Sequence, residues 1–374
     1  MLGLFLLLPV LALYGRTLPD YSPELLGLAM GAYGLTQAVM QIPFGRWSDR
    51  MGRKPLISIG LLLFAVGSVV GVFAHSLAVL AVARAVQGSG AVSAAVTALV
   101  ADMTRPEVRT RAMALIGMSI GLSFIVALVA GPVLDAKIGV PGIFMVMLVM
   151  ALLGIALLNF AVPTEPLHSS GPEARRLSGM LEILVRPSLR TSYLGIFALH
   201  FVMTSTFLAV PQVLQTDLGI PTLEHWKVYL GVFVCSVVGT LPLVLGVERG
   251  WGGRGLFGFA IVLLAVAQGL LGVDHRQLWP VLGALTLFFA VFNFLEARLP
   301  ALLTQAAPPT DRGAALGVFA TAQFFGAFLG GAVGGLLLRF GLSGVFFGST
   351  AVAAGWAVLA RGTIDTGAKR AQSV

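Results

Sequence analysis

Four ionisable side chains, Arg84, His200, Glu296 and Arg298, fall inside long apolar stretches of the sequence. A charge held in hydrocarbon costs about 3 kcal/mol or more unless it faces water or a partner, so each needs an explanation. Glu296 lies about seven residues, roughly 10 Å, from the nearer end of its apolar run, too deep for a short carboxylate to reach bulk water. A carboxyl exposed alternately to the two sides of a membrane can take up a proton on one and release it on the other. His200 stands near mid-depth, and imidazole is the side chain whose charge changes near neutral pH, so it is the rival proton carrier. For both, a structural hydrogen-bonded role is the competing reading. Arg84 lies about seven residues inside its run, with Gln87 three residues on along the same face, which points to a cavity more than to snorkelling. Arg298, two residues from Glu296, points elsewhere and reads as a snorkelling side chain.

Other chemistries find little support. None of the lysines, Lys54, Lys137, Lys227 and Lys369, follows a glycine, so there is no phosphate-binding loop. Gly117-Met118-Ser119-Ile120-Gly121 fits a nucleophile elbow but sits in an apolar helix. Gly341-Leu342-Ser343-Gly344 is followed by no histidine, the last being His275, and both matches read as chance. The scattered histidines and the single cysteine, Cys235, offer no metal spacing, and no metal or cofactor is expected.

The elements that must hold these residues are membrane helices. Hydrophobic residues make up 57% of the 374 and charged ones 11%, too few to cover a water-soluble surface. With one cysteine no internal disulfide is possible, and forty-six glycines favour close helix packing. A bilayer core needs about 20 apolar residues per helix, and twelve runs answer. They are 1–15, 24–45, 55–74, 77–101, 111–134, 140–162, 191–215, 227–246, 255–272, 278–303, 313–337 and 343–360. The first, at roughly 22 Å, is too short to cross, so it is expected to lack its opening residues. A signal peptide is the weaker reading, since no basic segment precedes the apolar one.

Seventeen of the 24 Lys and Arg residues flank the ends that alternate on one side, among them Arg46, Arg105, Arg186, Arg249 and Arg312. Five lie on the other: Arg16, Lys137, Lys227, Arg276 and Arg339. Both termini are therefore expected in the cytoplasm, and the net charge of +8 needs no nucleic acid to explain it. The polar stretch after the sixth run divides the chain into a bundle at 1–162, a central loop at 163–190, a second bundle at 191–361 and a tail at 362–374. Weak repeats, Phe5 to Leu11 against Phe207 to Leu214 and Gly45 to Lys54 against Gly246 to Arg254, predict parallel six-helix bundles around a central cavity.

The most specific motif is Gly45-Arg46-Trp47-Ser48-Asp49-Arg50-Met51-Gly52-Arg53-Lys54-Pro55, between the second and third runs. It resembles the signature of the major facilitator superfamily. Arg84, Gln87, Gly88 and Gly90 resemble that family's fourth-helix pattern, and Gly121 to Gly131-Pro132 the fifth-helix motif of its antiporter branches. Pro-kink packing suffices to explain the last, and Val133-Leu134-Asp135 departs from it. Leu8-Pro9-Val10-Leu11, Tyr33 to Gln37, Gln41 to Gly45 and Glu224 to Tyr229 look like the bacterial YajR-type members of the drug:proton antiporter-like branch. Nothing after Arg361 is long enough for the soluble C-terminal domain of that type.

The resemblance implies the major facilitator fold, an all-α integral membrane protein of about 12 transmembrane helices working by alternating access. It implies a cytoplasmic gate in which Asp49 caps the eleventh helix near Gly313 while Arg53 pairs with Asp102, with Gly45, Arg50 and Gly52 shaping the turn. The expected cavity set is Tyr33, Gln37, Arg84, Gln87, His200, Asn293, Glu296 and Gln323, suited to an amphipathic organic molecule. Proton-driven export by antiport from the bacterial inner membrane is the preferred expectation. Symport uptake of a metabolite, or a non-transporting receptor or scaffold on the same fold, are the alternatives. The expected partners are a small-molecule substrate, protons and the lipid bilayer, with the chain acting as a monomer.

Overall fold

The computed structural model describes residues 2–163, 182–249, 253–308 and 311–371. Lipid offers the backbone no hydrogen-bond partner, so the apolar runs close their N–H and C=O groups within helices. In chain order these are α1 (Leu2–Leu6), α2 (Leu11–Gly15), α3 (Pro23–Met51), α4 (Arg53–Val72), α5 (Leu77–Ser89), α6 (Val92–Met103) and α7 (Pro106–Ala161). The second half follows with α8 (Pro187–Gln212), α9 (His225–Glu248), α10 (Gly253–Val273), α11 (Leu278–Ala306), α12 (Arg312–Leu337) and α13 (Gly341–Ala371).

Nine stretches of the described residues are long and apolar enough to cross a membrane, and two of them, of 51 and 49 residues, have the length for two crossings each. The first of these folds back at Gly139, whose φ of 68° and ψ of 173° split α7 into two arms. The second turns at the boundary of α12 and α13. With the α1–α2 segment as the first pass, the described residues make the twelve passes expected. That first pass is interrupted by a turn over 7–10 around Pro9, which lacks an N–H, and the fourth breaks at Gly90 and Ala91.

The motif between the second and third runs is less of a turn than its glycines suggest. Helix α3 continues through Arg46 to Met51, so Gly45 lies inside a helix, and Gly52 alone, at φ 91°, makes the corner into α4. In the fifth-helix motif Gly131 and Pro132 keep helical φ/ψ, and the residue of α7 that leaves it is Gly139. A Cβ on Gly131 would stand 2.7 Å from the Leu6 carbonyl oxygen, so it packs on the first pass, whereas one on Gly121 would meet nothing within 4 Å. The central loop, with Arg175 and Arg176, falls mostly on 164–181, outside the described residues, as do 372–374 of the tail; α13 continues to Ala371.

The two halves repeat one pairing scheme: α3 packs on α5 and α4 on α7, as α9 packs on α11 and α10 on α13. The end carrying Arg53, Arg105, Arg186 and Arg312 is termed the basic end, and the opposite one the far end. Contacts between the halves gather at the far end. There Arg16 donates to Gln212 Oε1 at 3.0 Å, Arg339 pairs with Glu24, and Phe124 meets Phe207 edge-on at 6.0 Å. Towards the basic end the halves part: a Cβ on Gly45 of α3, or on Gly313 or Gly317 of α12, would meet nothing within 4 Å.

Candidate functional site

Three helices of the second half bring the two titratable candidates into one cluster. His200 of α8, Glu296 of α11 and Gln323 of α12 meet side by side, with the His200 Nδ1 3.9 Å from the Glu296 Oε2. The Gln323 amide donates to the His200 Nε2 at 2.8 Å and reaches the Glu296 Oε1 at 3.5 Å. In that arrangement His200 accepts at Nε2 and donates from Nδ1 to the Ile196 carbonyl at 3.3 Å, which assigns it the neutral Nδ1–H tautomer. Glu296 keeps 38% of its side chain exposed, yet its Oε2 is buried without a hydrogen-bond partner among the described residues. Asn293, one turn away on α11, donates to the Ser236 Oγ at 3.4 Å.

The first-half candidates sit differently from the sequence expectation. Arg84 is 2% exposed, so it does not line an open cavity. It donates to the Gln87 Oε1 at 2.8 Å, Gln87 donates to the Ser68 Oγ of α4 at 2.9 Å, and the guanidinium lies 4.8 Å from the centre of the Tyr33 ring. Its Nε is buried without a partner among the described residues. The physical reason is direction: Arg84 and Gln87 share a helix face, but that face looks into the α3–α4 packing. Gln37 is likewise buried, donating to Gln41 at 3.3 Å and Ser93 at 3.4 Å. Tyr33 links the halves, its ring 6.4 Å from that of Phe324, the neighbour of Gln323.

At the basic end Arg53 donates to Asp49 at 2.5 Å and to Asp102 at 3.0 Å, and to the Ser48 Oγ at 3.1 Å. The expected contact of Asp49 with the α12 terminus near Gly313 is not made, because the two helices have diverged there. Arg50 is exposed beside this network. The second half has its own tie, Arg186 donating to Asp311 at 2.9 Å, which no local spacing signalled because 125 residues separate the two.

Two features lie away from the cluster. A cavity of about 460 Å³ at the far end is bounded by Val129 and Val133 of α7 and by Leu223, Glu224, Trp226 and Lys227. In the second half, His275 Nδ1 lies 2.6 Å from the Asp217 Oδ2 and its Nε2 3.1 Å from the Ser343 Oγ. The sequence argument that no histidine follows Ser343 therefore fails as a reason to separate them, since such groups meet in any chain order. The contact ties the end of the seventh pass, the loop before α11 and the start of α13.

The Major Facilitator Superfamily model matches residues 1–247 and 192–372. The chain is 42% identical over 362 residues to the inner membrane transport protein YajR of Escherichia coli (strain K12), covering 96% of this chain and 80% of that one. It is 25% identical over 345 residues to multidrug resistance protein 2 of Bacillus subtilis (strain 168), covering 90% and 85%. Among solved structures it resembles a bacterial homolog of the human lysosomal transporter Spinster, in an inward-facing and occupied conformation. The TM-score is 0.77 at 15% identity, over 97% of this chain and 94% of that one, a likeness of fold alone.

Proposed function

This chain belongs to the Major Facilitator Superfamily, a family of transporters and not of enzymes, and on that premise we propose that it exports an amphipathic organic molecule in exchange for protons. The observation that carries the proposal is the buried, unpartnered Oε2 of Glu296 beside His200 and Gln323. A carboxylate oxygen out of water and without a donor is an arrangement that a bound proton relieves. The cluster acts as one site: a proton on Glu296 or His200 changes what Gln323 can donate to, and Gln323 belongs to α12, the helix that borders both ends of the gap between the halves.

The Arg-rich basic end faces the cytoplasm, which makes the described conformation open to the inside. Substrate enters there and displaces the proton. Closing that end brings Asp49 to the α12 terminus and exposes the cluster to the proton-rich outside. One charge crossing 100 mV releases about 2.3 kcal/mol, enough to concentrate a neutral solute about fiftyfold. Export in place of uptake is supported by the relative named for multidrug resistance.

The test uses everted membrane vesicles acidified by respiration, with ethidium and a fluoroquinolone as probes and acridine orange reporting the gradient. Antiport dissipates the gradient when a transported probe is added. A rise in acidity would instead indicate coupling in the opposite sense. A purified protein that binds the probe, yet leaves the gradient unchanged, would be a receptor.

A further inference from the structure

We infer that Arg190, Thr191 and Trp356 form a headgroup site for an anionic phospholipid, on the lipid-facing side of the second half at the basic end. The inference is independent of what the chain transports and of which ion drives it. A cavity of about 240 Å³ lies there between α8 and α13, bounded by Arg190, Thr191 and Leu194 of the first and by Trp356, Leu359 and Ala360 of the second. The spacing explains the lining, since residues three and four apart share a helix face. Thr191 precedes His200 by nine residues, about two and a half turns, so the cavity lies on the side of α8 away from the His200 cluster. Leu194 and Leu359 are 41% and 60% exposed beside it, and apolar side chains left open on membrane helices face the equally apolar lipid tails. The cavity therefore opens sideways into the bilayer.

Its polar groups are held in place and unused. Trp356 is 3% exposed and stands edge-on to Phe257 of α10, with ring centres 6.0 Å apart. Its other edge faces α8, where a Cβ on Gly195 would lie 2.8 Å from the Trp356 Cζ2 and 3.2 Å from the Cε2. The Nε1–H, bonded to that Cε2, is buried with no acceptor among the described residues. A buried indole N–H normally finds a partner, so this one marks a place for an acceptor that the helices do not supply. The side chains of Arg190 and Thr191 likewise have no partner among the described residues, and no acidic residue lines the cavity. Three donors without a carboxylate suit a phosphate, whose oxygens only accept. They do not suit a zwitterionic headgroup, whose ammonium would find no counter-charge. Basic pockets between membrane helices on the cytoplasmic side take anionic headgroups for this reason. The volume equals about eight waters at about 30 Å³ each, below the roughly 300 Å³ at which small-molecule pockets begin. It fits a phosphoglycerol head, with acyl chains leaving past Leu194 and Leu359, and not a whole organic substrate.

The experiment is native mass spectrometry of the full chain in detergent, titrated with phosphatidylglycerol, with phosphatidylethanolamine of the same acyl chains, and with glycerol phosphate. The first phosphatidylglycerol should bind about tenfold more tightly than the first phosphatidylethanolamine, and glycerol phosphate at equal concentration should not displace it. Arg190→Gln should weaken phosphatidylglycerol about tenfold and leave phosphatidylethanolamine unchanged. Trp356→Phe keeps a ring against Phe257 and removes the N–H, and it should weaken phosphatidylglycerol about fivefold. Arg249→Gln removes a charge from the same end outside the cavity and should change nothing. Equal affinities for the two lipids, or an affinity for phosphatidylglycerol that either cavity substitution leaves unchanged, would overturn the inference. So would displacement by glycerol phosphate at equal concentration, which would make this a site for a free anion only. If Trp356→Phe does not fold, the substitution of the exposed Arg190 decides alone.

Discussion

The amide of Gln323 donates to the Nε2 of His200 at 2.8 Å, across the packing of α12 on α8. Gln323→Leu keeps the bulk of the side chain and removes the bridge to both His200 and Glu296. Loss of one buried hydrogen bond is worth about 1 kcal/mol, so gradient-driven transport should fall about fivefold to tenfold while the protein remains folded. Turnover in proteoliposomes, with and without a pH gradient, checks this. Equal losses in both conditions would mean that Gln323 serves packing and not coupling.

Arg84→Lys separates a packing role from a substrate contact. A lysine cannot reproduce the guanidinium contact over the Tyr33 ring together with the bond to Gln87. The variant should lose about 1–3 kcal/mol of stability, read as a lower melting temperature in detergent, while ethidium affinity changes by less than about twofold. A large loss of affinity at unchanged melting temperature would return Arg84 to the cavity.

Asp49→Asn bears on the gate at the basic end. In the described state Asp49 is paired with Arg53, and its removal costs little because the pair is exposed. In the closed state it would lose a helix-terminus contact of about 0.3–2 kcal/mol. The variant should therefore favour the inward-open state and turn over slowly, with probe affinity altered only through the populations. Distances across the basic end that match wild type under outward-favouring conditions would contradict this.

Asp20 offers a pH test outside the membrane. Backbone N–H groups of Leu77 and Ala78 donate to its carboxylate at 2.5 and 3.0 Å and hold it below the usual carboxylate range. A group lowered in the folded state stabilises the protein at neutral pH and ceases to do so as pH falls through its folded-state value. Asp20→Asn should thus melt lower than wild type at pH 7, and the gap should close as the buffer is taken below about pH 4. A gap independent of pH would mean that shape, not charge, caps α5.

The sequence made some of this legible and hid the rest for definable reasons. Depth within an apolar run marked Glu296 and His200, because the cost of a buried charge depends on position along the helix. That the two meet depends on the rotation of α8 against α11, which no local spacing records. Arg84 and Gln87 were readable as a pair on one face, but the direction of that face was not. The close packing of α3 on α12 did leave a signal, Gly27 and Gly31 in one helix and Gly331 and Gly335 in the other, each four apart. The Glu24–Arg339 ion pair, whose members are far apart in sequence, left none. Asp49 was read with a contact to the α12 terminus, whereas in the structure it pairs with Arg53.

The proposal that Glu296 carries the coupling proton is tested most directly by Glu296→Gln in proteoliposomes loaded with ethidium. Two fluxes are compared, exchange between equal ethidium pools and export driven by an inward proton gradient. The neutral amide should abolish gradient-driven export and leave exchange within about twofold of wild type, because only the proton step is removed. Gradient-driven export at the wild-type rate would contradict a proton carried on Glu296.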